Sequence, residues 1–321
     1  MLRQVAEVLD RWVIERATVR LVRRLPGPAQ ALEPPLPAQP ITFNGARSPK
    51  AIQLTWTSRT AFQFSSPQPS PWPENNLVCG HLFRAGPHWQ AKPTVVLLHG
   101  WRAERQYRWQ FPWLARCLNR RGINAAFFLL PMHGSRCPRS PGAPRDFIWP
   151  VAGCTRAAAA QALVETQALL RWLAGQGSAP LGLWGFSLGG WLAGLLACRT
   201  SALDFAVLYC PVARMHQAVL RLPFCAPIRA ALEAVSPNPE ILDLTKLQPQ
   251  VSRQRLLLVA GQHDLFVPLS EIELLAQRWG QPDLWQIAHG HISALLAPVV
   301  LIRVLGWISR QAHASPGSAR A

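Results

Sequence analysis

Short apolar runs alternate with helical segments along the chain from Thr94 onward, and no other feature restricts the fold as strongly. The runs with strand character are Val95–Leu98, Ile123–Leu130, Leu181–Phe186, Phe205–Tyr209, Leu256–Ala260 and Leu284–Ile287. Helical segments are predicted at Ala103–Arg121, Arg156–Leu173, Leu188–Cys198, Leu269–Trp279 and Ile292–Arg310. Strands that alternate with helices in this order form a mostly parallel sheet covered by helices on both faces. The sequence therefore predicts an α/β fold.

The segment before Thr94 has a different character. Apolar side chains recur at helical spacing over residues 2–24, with arginines between them, and residues 25–40 are rich in proline. We expect an amphipathic helix and a Pro-rich linker over 1–40, one globular domain over 41–310 and a flexible tail over 311–321. Antiparallel edge strands are expected at Ile41–Phe43, Ala51–Phe64 and Leu77–Phe83.

Two insertions interrupt the alternation of strands and helices. Residues 211–254 form a segment too long for a simple crossover, which predicts a small helical cap. Pro131–Val151 is rich in proline, glycine and arginine and has no periodicity. Both insertions follow the carboxyl ends of predicted strands, where open α/β sheets bind their ligands. We therefore expect both to border a functional site.

The sequence Gly185-Phe186-Ser187-Leu188-Gly189 fits the pattern G-x-S-x-G between a predicted strand and a predicted helix. A sharp turn at this place projects the serine from the top of the sheet, and the glycines let the backbone pass closely. The helix that follows presents free N–H groups to developing negative charge. This context predicts Ser187 as a nucleophile; the alternative is a tight turn with an inert serine.

With the upstream sequence VVLLHGW and the context PLGLWGFSLGG, the chain resembles the α/β-hydrolase superfamily, in particular uncharacterised abhydrolase-domain serine hydrolases. The resemblance covers about Thr94 to Arg310 and implies the α/β-hydrolase fold. The order of nucleophile, acid and base in that family implies a triad of Ser187, Asp264 and His291.

The acid and the base each have an alternative interpretation. Asp264 lies in LLLVAGQHDLFVP, between the end of a strand and the start of a helix. A carboxylate there can hold the base in its working tautomer, although an aspartate can also cap such a turn. His291 follows Gly290, as the resemblance implies for the base, and His289 is the alternative base.

Two further loops supply candidate site residues. The resemblance implies an oxyanion hole built from the backbone N–H groups of Trp101, which follows His99-Gly100, and of Leu188. In the loop after the next strand, His133 and Arg136 are candidate substrate contacts. The alternative for that loop is a segment held by its own hydrogen bonds.

These residues together predict a serine hydrolase that cleaves a carboxylic ester or related acyl bond through an acyl-enzyme. The 14 tryptophans and an apolar, Arg-bearing cap suggest an apolar or lipid substrate. The alternatives are a thioesterase or amidase on the same fold, or a non-catalytic interaction module. No cofactor and no metal are expected. A metal site made from His263, Asp264, His289 and His291 leaves the serine turn unexplained.

The net charge of the chain indicates which partners it can bind, and its cysteines indicate the cellular compartment. The chain has 33 Lys and Arg against 16 Asp and Glu, and almost all of the excess is arginine. Such an excess suits phosphate or anionic lipid headgroups, and the alternative is the coding bias of a GC-rich genome. No nucleic-acid motif accompanies this charge, and we expect no nucleic-acid partner. The seven cysteines include no CxxC pair, and the first residues lack the apolar region of a secretory signal. The expected location is cytoplasmic, with the N-terminal helix either docked on the domain or bound peripherally to an anionic membrane.

Overall fold

The computed structural model describes residues 2–22, 51–149, 153–226, 229 and 243–314. The strand predicted at Ile41–Phe43, the whole Pro-rich linker, part of the cap segment and most of the tail lie outside the described residues.

Within the described residues, nine strands form one sheet in the order β1-β2-β3-β5-β4-β6-β7-β8-β9. The strands are β1 Thr55–Trp56, β2 Ala61–Ser65, β3 Leu77–Phe83, β4 Thr94–Leu98, β5 Asn124–Phe128, β6 Leu181–Phe186, β7 Phe205–Tyr209, β8 Leu256–Gly261 and β9 Asp283–Ile287. The six strands from β4 to β9 pair in parallel, and β1 to β3 pair antiparallel at one edge. The predicted parallel sheet and antiparallel edge are both confirmed.

The helices in the described residues are α1 Leu2–Val22, α2 Pro73–Asn76, α3 Phe111–Asn119, α4 Cys154–Gly175, α5 Leu188–Ala197, α6 Met215–Arg221, α7 Leu269–Arg278, α8 His291–Leu295 and α9 Pro298–His313. Alternate side chains of β4 enter two different cores. One core includes residues of α4, α5 and α7, and the other includes residues of α3 and α9. Helices therefore cover both faces of the sheet, as predicted, and its carboxyl edge is left for a site.

Three elements differ from their predicted bounds. The helix predicted at Ile292–Arg310 is two helices, because Pro298 lacks an N–H and the preceding Ala297 has ψ 91. The strand-like run Ala51–Phe64 contains a hairpin of β1 and the start of β2, with a turn held by Ser58 Oγ, which accepts the Ala61 N–H at 3.0 Å. The helical segment Ala103–Arg121 includes a five-residue π-helical stretch before α3.

The N-terminal segment predicted as helical forms α1, which packs against α8 and against a 3-10 turn at Pro223–Cys225. Its docking face carries the small side chain of Ala6, 2% exposed, and the carboxylate of Asp10, 0% exposed. The opposite face exposes apolar side chains, namely Val5, Val8, Trp12 and Val19. We call these four residues the outer stripe of α1. None of the described helices combines the length and the apolar character that crossing a membrane requires.

Candidate active site

The turn between β6 and α5 projects Ser187 from the carboxyl edge of the sheet. Ser187 has φ 54 and ψ −113, a strained conformation for a residue with a side chain. A Cβ at Gly185 would lie 2.1 Å from the Gly189 carbonyl oxygen, and a Cβ at Gly189 would lie 2.1 Å from that of Leu98. Both flanking glycines are therefore required by close backbone contact, which the motif predicted.

Ser187, His291 and Asp264 form one continuous chain of hydrogen bonds. Ser187 Oγ lies 2.8 Å from His291 Nε2, and His291 Nδ1 lies 2.7 Å from Asp264 Oδ2. The other carboxylate oxygen of Asp264 accepts the backbone N–H groups of Phe266 at 2.8 Å and Val267 at 2.7 Å. Because the carboxylate takes the Nδ1 proton, Nε2 is left to accept the proton of the serine hydroxyl.

The surroundings of His291 set its basicity. Burial of the ring lowers its pKa, but the charge and hydrogen bond of Asp264, together with the charge of Asp10, raise it above the ordinary value of 6.5. The imidazole packs against two aromatic rings, Phe266 at 4.7 Å and Phe186 at 4.9 Å between centroids. The ring is thus held in place and its charged form is stabilised by two carboxylates.

His289, the alternative base, does not face the serine. Its backbone carbonyl accepts the His263 N–H at 3.0 Å, and its ring has no hydrogen-bond partner among the described residues. Its side chain is partly exposed, and burial lowers its pKa. Of the two histidines, the structure brings only His291 to Ser187 and Asp264.

The backbone N–H groups of Trp101 and Leu188 lie at the ends of two neighbouring strands, and both residues line a pocket with Ser187. Within the described part of the chain, neither N–H donates to another residue. The Trp101 side chain is fixed, because its Nε1 donates to Asp146 and its ring stacks on Phe224 at 5.0 Å. Two donors therefore remain free beside the serine, the number an oxyanion hole needs.

The pocket above Ser187 is apolar. Besides Ser187, Trp101 and Leu188, its described lining consists of Ile148, Val212, Met215, Ala218, Val219, Leu222, Phe224, Cys225, Phe266 and Val267. No charged side chain is among these residues. Both insertions predicted to border the site contribute to it, Ile148 from the first and Val212 to Cys225 from the second.

Comparison with known proteins assigns the chain to a family. A family model described as alpha/beta hydrolase domain containing 18 matches residues 61–226, just over half of the chain. The chain belongs to this family. The superfamily that the motifs resembled is therefore confirmed, and the fold is the α/β-hydrolase fold.

Two uncharacterized proteins of Mycobacterium tuberculosis are each 29% identical to this α/β hydrolase over 237 residues. The match covers 70% of the chain and 50% of each relative, so the chain spans about half the length of the curated relatives it matches. An esterase of Pyrococcus furiosus has a TM-score of 0.55 at 16% identity, over 82% of this chain and 96% of its own. An acetyl xylan esterase from Paenibacillus sp. R4 has a TM-score of 0.57 at 13% identity, over 93% and 94%. At such identities these likenesses show the fold.

His133 and Arg136 do not reach the pocket, contrary to their interpretation as substrate contacts. His133 is 2% exposed and both ring nitrogens are engaged, Nδ1 with the Pro131 carbonyl at 2.8 Å and Nε2 with the Arg102 N–H at 3.2 Å. Arg136 is fully buried and forms a bidentate pair with Glu165 at 2.6 and 2.8 Å. The loop is therefore held partly by its own bond to Pro131 and mainly by bonds to other segments, those of Arg102, Asn75 and Glu165.

Cys210 lies close to the triad and was missed by sequence reasoning. Ligand atoms of Cys210, Asp264 and His291 fall within 4.8 Å of one another, the one such group among the described residues. Burial and then the charge of Asp264 raise the pKa of the Cys210 thiol well above its ordinary value, which disfavours the thiolate a metal would need. Both imidazole nitrogens of His291 already have partners. The donor set therefore fits a serine triad and does not fit a metal site. Cys210 directly follows β7, and this position at the carboxyl end of a strand is the sequence signal that could have identified it.

Asp10 of α1 was also missed. Its Oδ2 accepts the backbone N–H groups of Leu265 at 3.1 Å and His291 at 2.8 Å, and its Oδ1 accepts that of Ile292 at 2.9 Å. No motif marks this residue, and the bonds span more than 250 positions of sequence.

Proposed function

We propose that this α/β hydrolase is a serine hydrolase that cleaves a carboxylic ester through an acyl-enzyme. The observation that carries the proposal is the unbroken hydrogen-bond chain from Ser187 through His291 to Asp264, at the floor of a pocket. A histidine that is oriented by a carboxylate and faces a serine hydroxyl is the arrangement that activates serine as a nucleophile.

The acylation step uses each of these side chains. Ser187 Oγ attacks the carbonyl carbon of the ester while its proton passes to His291 Nε2, over the 2.8 Å that separates the two atoms. The carbonyl oxygen becomes an oxyanion. The imidazolium then gives the proton to the leaving alcohol, the carbon–oxygen bond to that alcohol breaks, and the acyl group stays on Ser187.

Deacylation repeats the sequence with water. His291 takes a proton from a water molecule that attacks the acyl carbon, and it returns that proton to Ser187 as the carboxylic acid leaves. Asp264 holds the tautomer and stabilises the imidazolium. The N–H groups of Trp101 and Leu188 stabilise the oxyanion in both steps, and one such donor contributes about 3 to 4 kcal/mol in well-studied cases.

An apolar acyl group suits the pocket. Its described lining has no charged side chain, so a charged acyl chain would lose hydration without gaining a partner. Phe224 and Phe266 offer aromatic surface close to the nucleophile. Several solved structures with this fold are named as esterases, which agrees with an ester as the substrate.

Labelling with a fluorophosphonate probe tests the nucleophile. We expect covalent labelling of the full chain, abolished by Ser187→Ala and retained in Ser201→Ala, a control variant at an exposed serine. Peptide mapping identifies the labelled residue. Absence of labelling, or labelling that survives Ser187→Ala, would overturn the proposal and favour a non-catalytic interaction module.

A matched series of substrates tests the bond that is cleaved. An ester, a thioester and an amide with the same apolar acyl group share the pocket and differ in the leaving group. We expect the largest kcat/KM for the oxygen ester. A larger kcat/KM for the thioester or the amide would replace the esterase by a thioesterase or an amidase while leaving the acyl-enzyme mechanism intact.

We also propose that the outer stripe of α1 binds an anionic membrane and brings a lipid ester to the pocket. Trp12 is 50% exposed, Val8 is 66% exposed, and the Arg16 guanidinium lies 4.5 Å from the Trp12 ring. Apolar side chains with flanking arginine suit the interface of an anionic bilayer. α1 also packs on the turn that carries Phe224, so a membrane bound there would lie about one helix diameter, roughly 10 Å, from the pocket wall.

Flotation with vesicles distinguishes membrane binding by α1 from a helix that only packs on its own domain. We expect the full chain to float with vesicles rich in phosphatidylserine and to be released by salt. Val8→Asp should abolish flotation, whereas Trp109→Ser, at a tryptophan that is 75% exposed elsewhere, should leave it unchanged. Equal flotation of the Val8→Asp variant, or no flotation of the parent chain, would contradict a membrane role for α1.

A further inference from the structure

The carboxylate of Asp10 joins the two loops that carry the acid and the base. Oδ2 accepts the N–H of Leu265, the residue after Asp264, and also the N–H of His291 itself. One oxygen atom thus contacts the backbone of both loops. Asp10 is 0% exposed, and it reaches this position from α1, an element outside the sheet.

Because the Asp10 carboxylate is buried, it has lost its hydration and needs hydrogen bonds from the protein. Burial raises the pKa of Asp10, while the three backbone N–H bonds and the charge of His291 lower it and so favour the carboxylate. A buried carboxylate is stable only when hydrogen bonds replace its lost hydration. Within the part of the chain that the structure describes, these hydrogen bonds come from residues 265, 291 and 292, so Asp10 and the two loops depend on each other for their positions.

The space around Gly290 shows how closely α1 packs against the loop that carries His291. A Cβ at Gly290 would lie 2.7 Å from Asp10 Oδ2 and 3.1 Å from the Ala6 carbonyl oxygen. Gly290 has φ −85 and ψ −173, an extended conformation that alanine adopts without strain. The residue before the base is therefore restricted by α1 and not by its own backbone.

We propose that Asp10 is a positioning residue, through which α1 holds Asp264 and His291 at the separation that proton transfer requires. This inference rests on the proposed function. The distance that matters is the 2.7 Å between Asp264 Oδ2 and His291 Nδ1. Misplacement of a catalytic group by about 1 Å costs on the order of a hundredfold in rate. A simple helix cap would contact α8 alone, whereas Asp10 also binds the loop of the acid.

Asp10 also acts on His291 through its charge. Among the described residues, the titratable and hydroxyl groups near the imidazole are the carboxylates of Asp264 and Asp10, the Cys210 thiol and the Ser187 hydroxyl. Removal of the Asp10 charge should therefore lower the pKa of His291, because one of the two negative charges that favour the imidazolium is lost. A purely structural role predicts no such change.

Three variants of the full chain test the role of Asp10. Asp10→Asn keeps the shape of the side chain and removes its charge, and Gly290→Ala displaces the carboxylate from the other side. Glu15→Gln removes a charge from the exposed face of α1 and serves as the control. The readouts are the rate of fluorophosphonate labelling, kcat and KM for an apolar ester, the melting temperature, and the proton resonance of His291 Nδ1–H.

We expect Asp10→Asn and Gly290→Ala to lower the labelling rate and kcat at least tenfold with little change in KM. In Asp10→Asn, the acid limb of kcat/KM should move to lower pH, and the His291 resonance should shift. Glu15→Gln should match the parent in every readout. If Asp10→Asn keeps the parent labelling rate and resonance, even with a lower melting temperature, the positioning role is overturned. If the parent chain is not labelled at Ser187, the proposed function is overturned instead. The His291 Nδ1–H resonance, compared between the parent and Asp10→Asn, then still shows whether Asp10 positions His291.

Discussion

Two buried histidines that contact each other should make this α/β hydrolase sensitive to mild acid. His99 is 0% and His133 2% exposed, and their rings meet edge to face with centroids 4.7 Å apart. His99 Nδ1 donates to the Gly100 carbonyl at 2.7 Å, and its Nε2 accepts the Leu130 N–H at 3.0 Å. Burial lowers the pKa of His99 to about 3 and that of His133 to about 4. Both rings are therefore neutral in the folded protein at pH 5.

The unfolded chain has ordinary histidines, which titrate near pH 6.5. Below that pH the unfolded state binds more protons than the folded state, so the free energy of unfolding falls as pH falls from 6.5 towards the folded pKa values. Each unit of pH costs about 1.4 kcal/mol for one such group. At pH 5 each histidine therefore costs about 2 kcal/mol, and the pair about 4 kcal/mol. Domains of this kind are stable by only about 5 to 15 kcal/mol.

Urea unfolding at pH 7 and pH 5 measures this loss. His99→Gln and His133→Gln each remove one titrating group and keep an oxygen that can accept the backbone N–H. We expect the double variant to lose about 4 kcal/mol less than the parent between the two pH values, and each single variant about 2 kcal/mol less. Titration of carboxylates and the large positive charge are common to all four proteins, so the differences isolate the histidines. Equal losses in all four would refute the reasoning.

Three further outcomes are expected. The acid limb of kcat/KM should have its midpoint above pH 6.5, because the base must be neutral and the pKa of His291 is raised; a pH–rate profile with a lower midpoint would contradict this. Phe224→Ala should widen the pocket and raise the ratio of kcat/KM for long over short acyl esters about tenfold, and an unchanged ratio would exclude Phe224 from acyl selection. Glu165→Gln should lower the free energy of unfolding by about 3 to 5 kcal/mol in urea, because it leaves the buried charge of Arg136 uncompensated; a loss below 1 kcal/mol would show that the pair contributes little.

The parts of the structure that local sequence determines were predictable. The strands β3, β6 and β7 have the bounds that their apolar patterns predicted, and the serine turn has the close contacts that its glycines predicted. The predicted triad also comes together in space, since its members follow the carboxyl ends of strands that lie side by side. These features depend on hydrophobic periodicity and on turn chemistry, and each of these is determined by a few neighbouring residues.

The contacts between distant segments were not predictable. The sequence predicted an amphipathic helix over residues 2–24 but not its docking face, and α1 docks through Ala6 and Asp10 and leaves Val8 and Trp12 exposed. A small side chain and a carboxylate give no hydrophobic signal, and their partners lie about 255 to 282 positions away. Likewise, Arg136 is neutralised by Glu165, which lies on a helix whose packing the sequence does not reveal.

The hydrogen bonds of Asp10 also determine at what stage of synthesis and folding the site can form. Its acceptor atoms are made about 255 residues before the first N–H group that they bind, that of Leu265, and about 282 residues before the last, that of Ile292. Contacts of such large sequence separation form late, because a long loop must close before they contribute anything. The central strands up to β7 and the serine turn can assemble on a growing chain, but His291 cannot be held in place until synthesis has passed residue 292. A shorter chain would therefore carry the serine turn without the histidine and the carboxylate that face it in the folded domain.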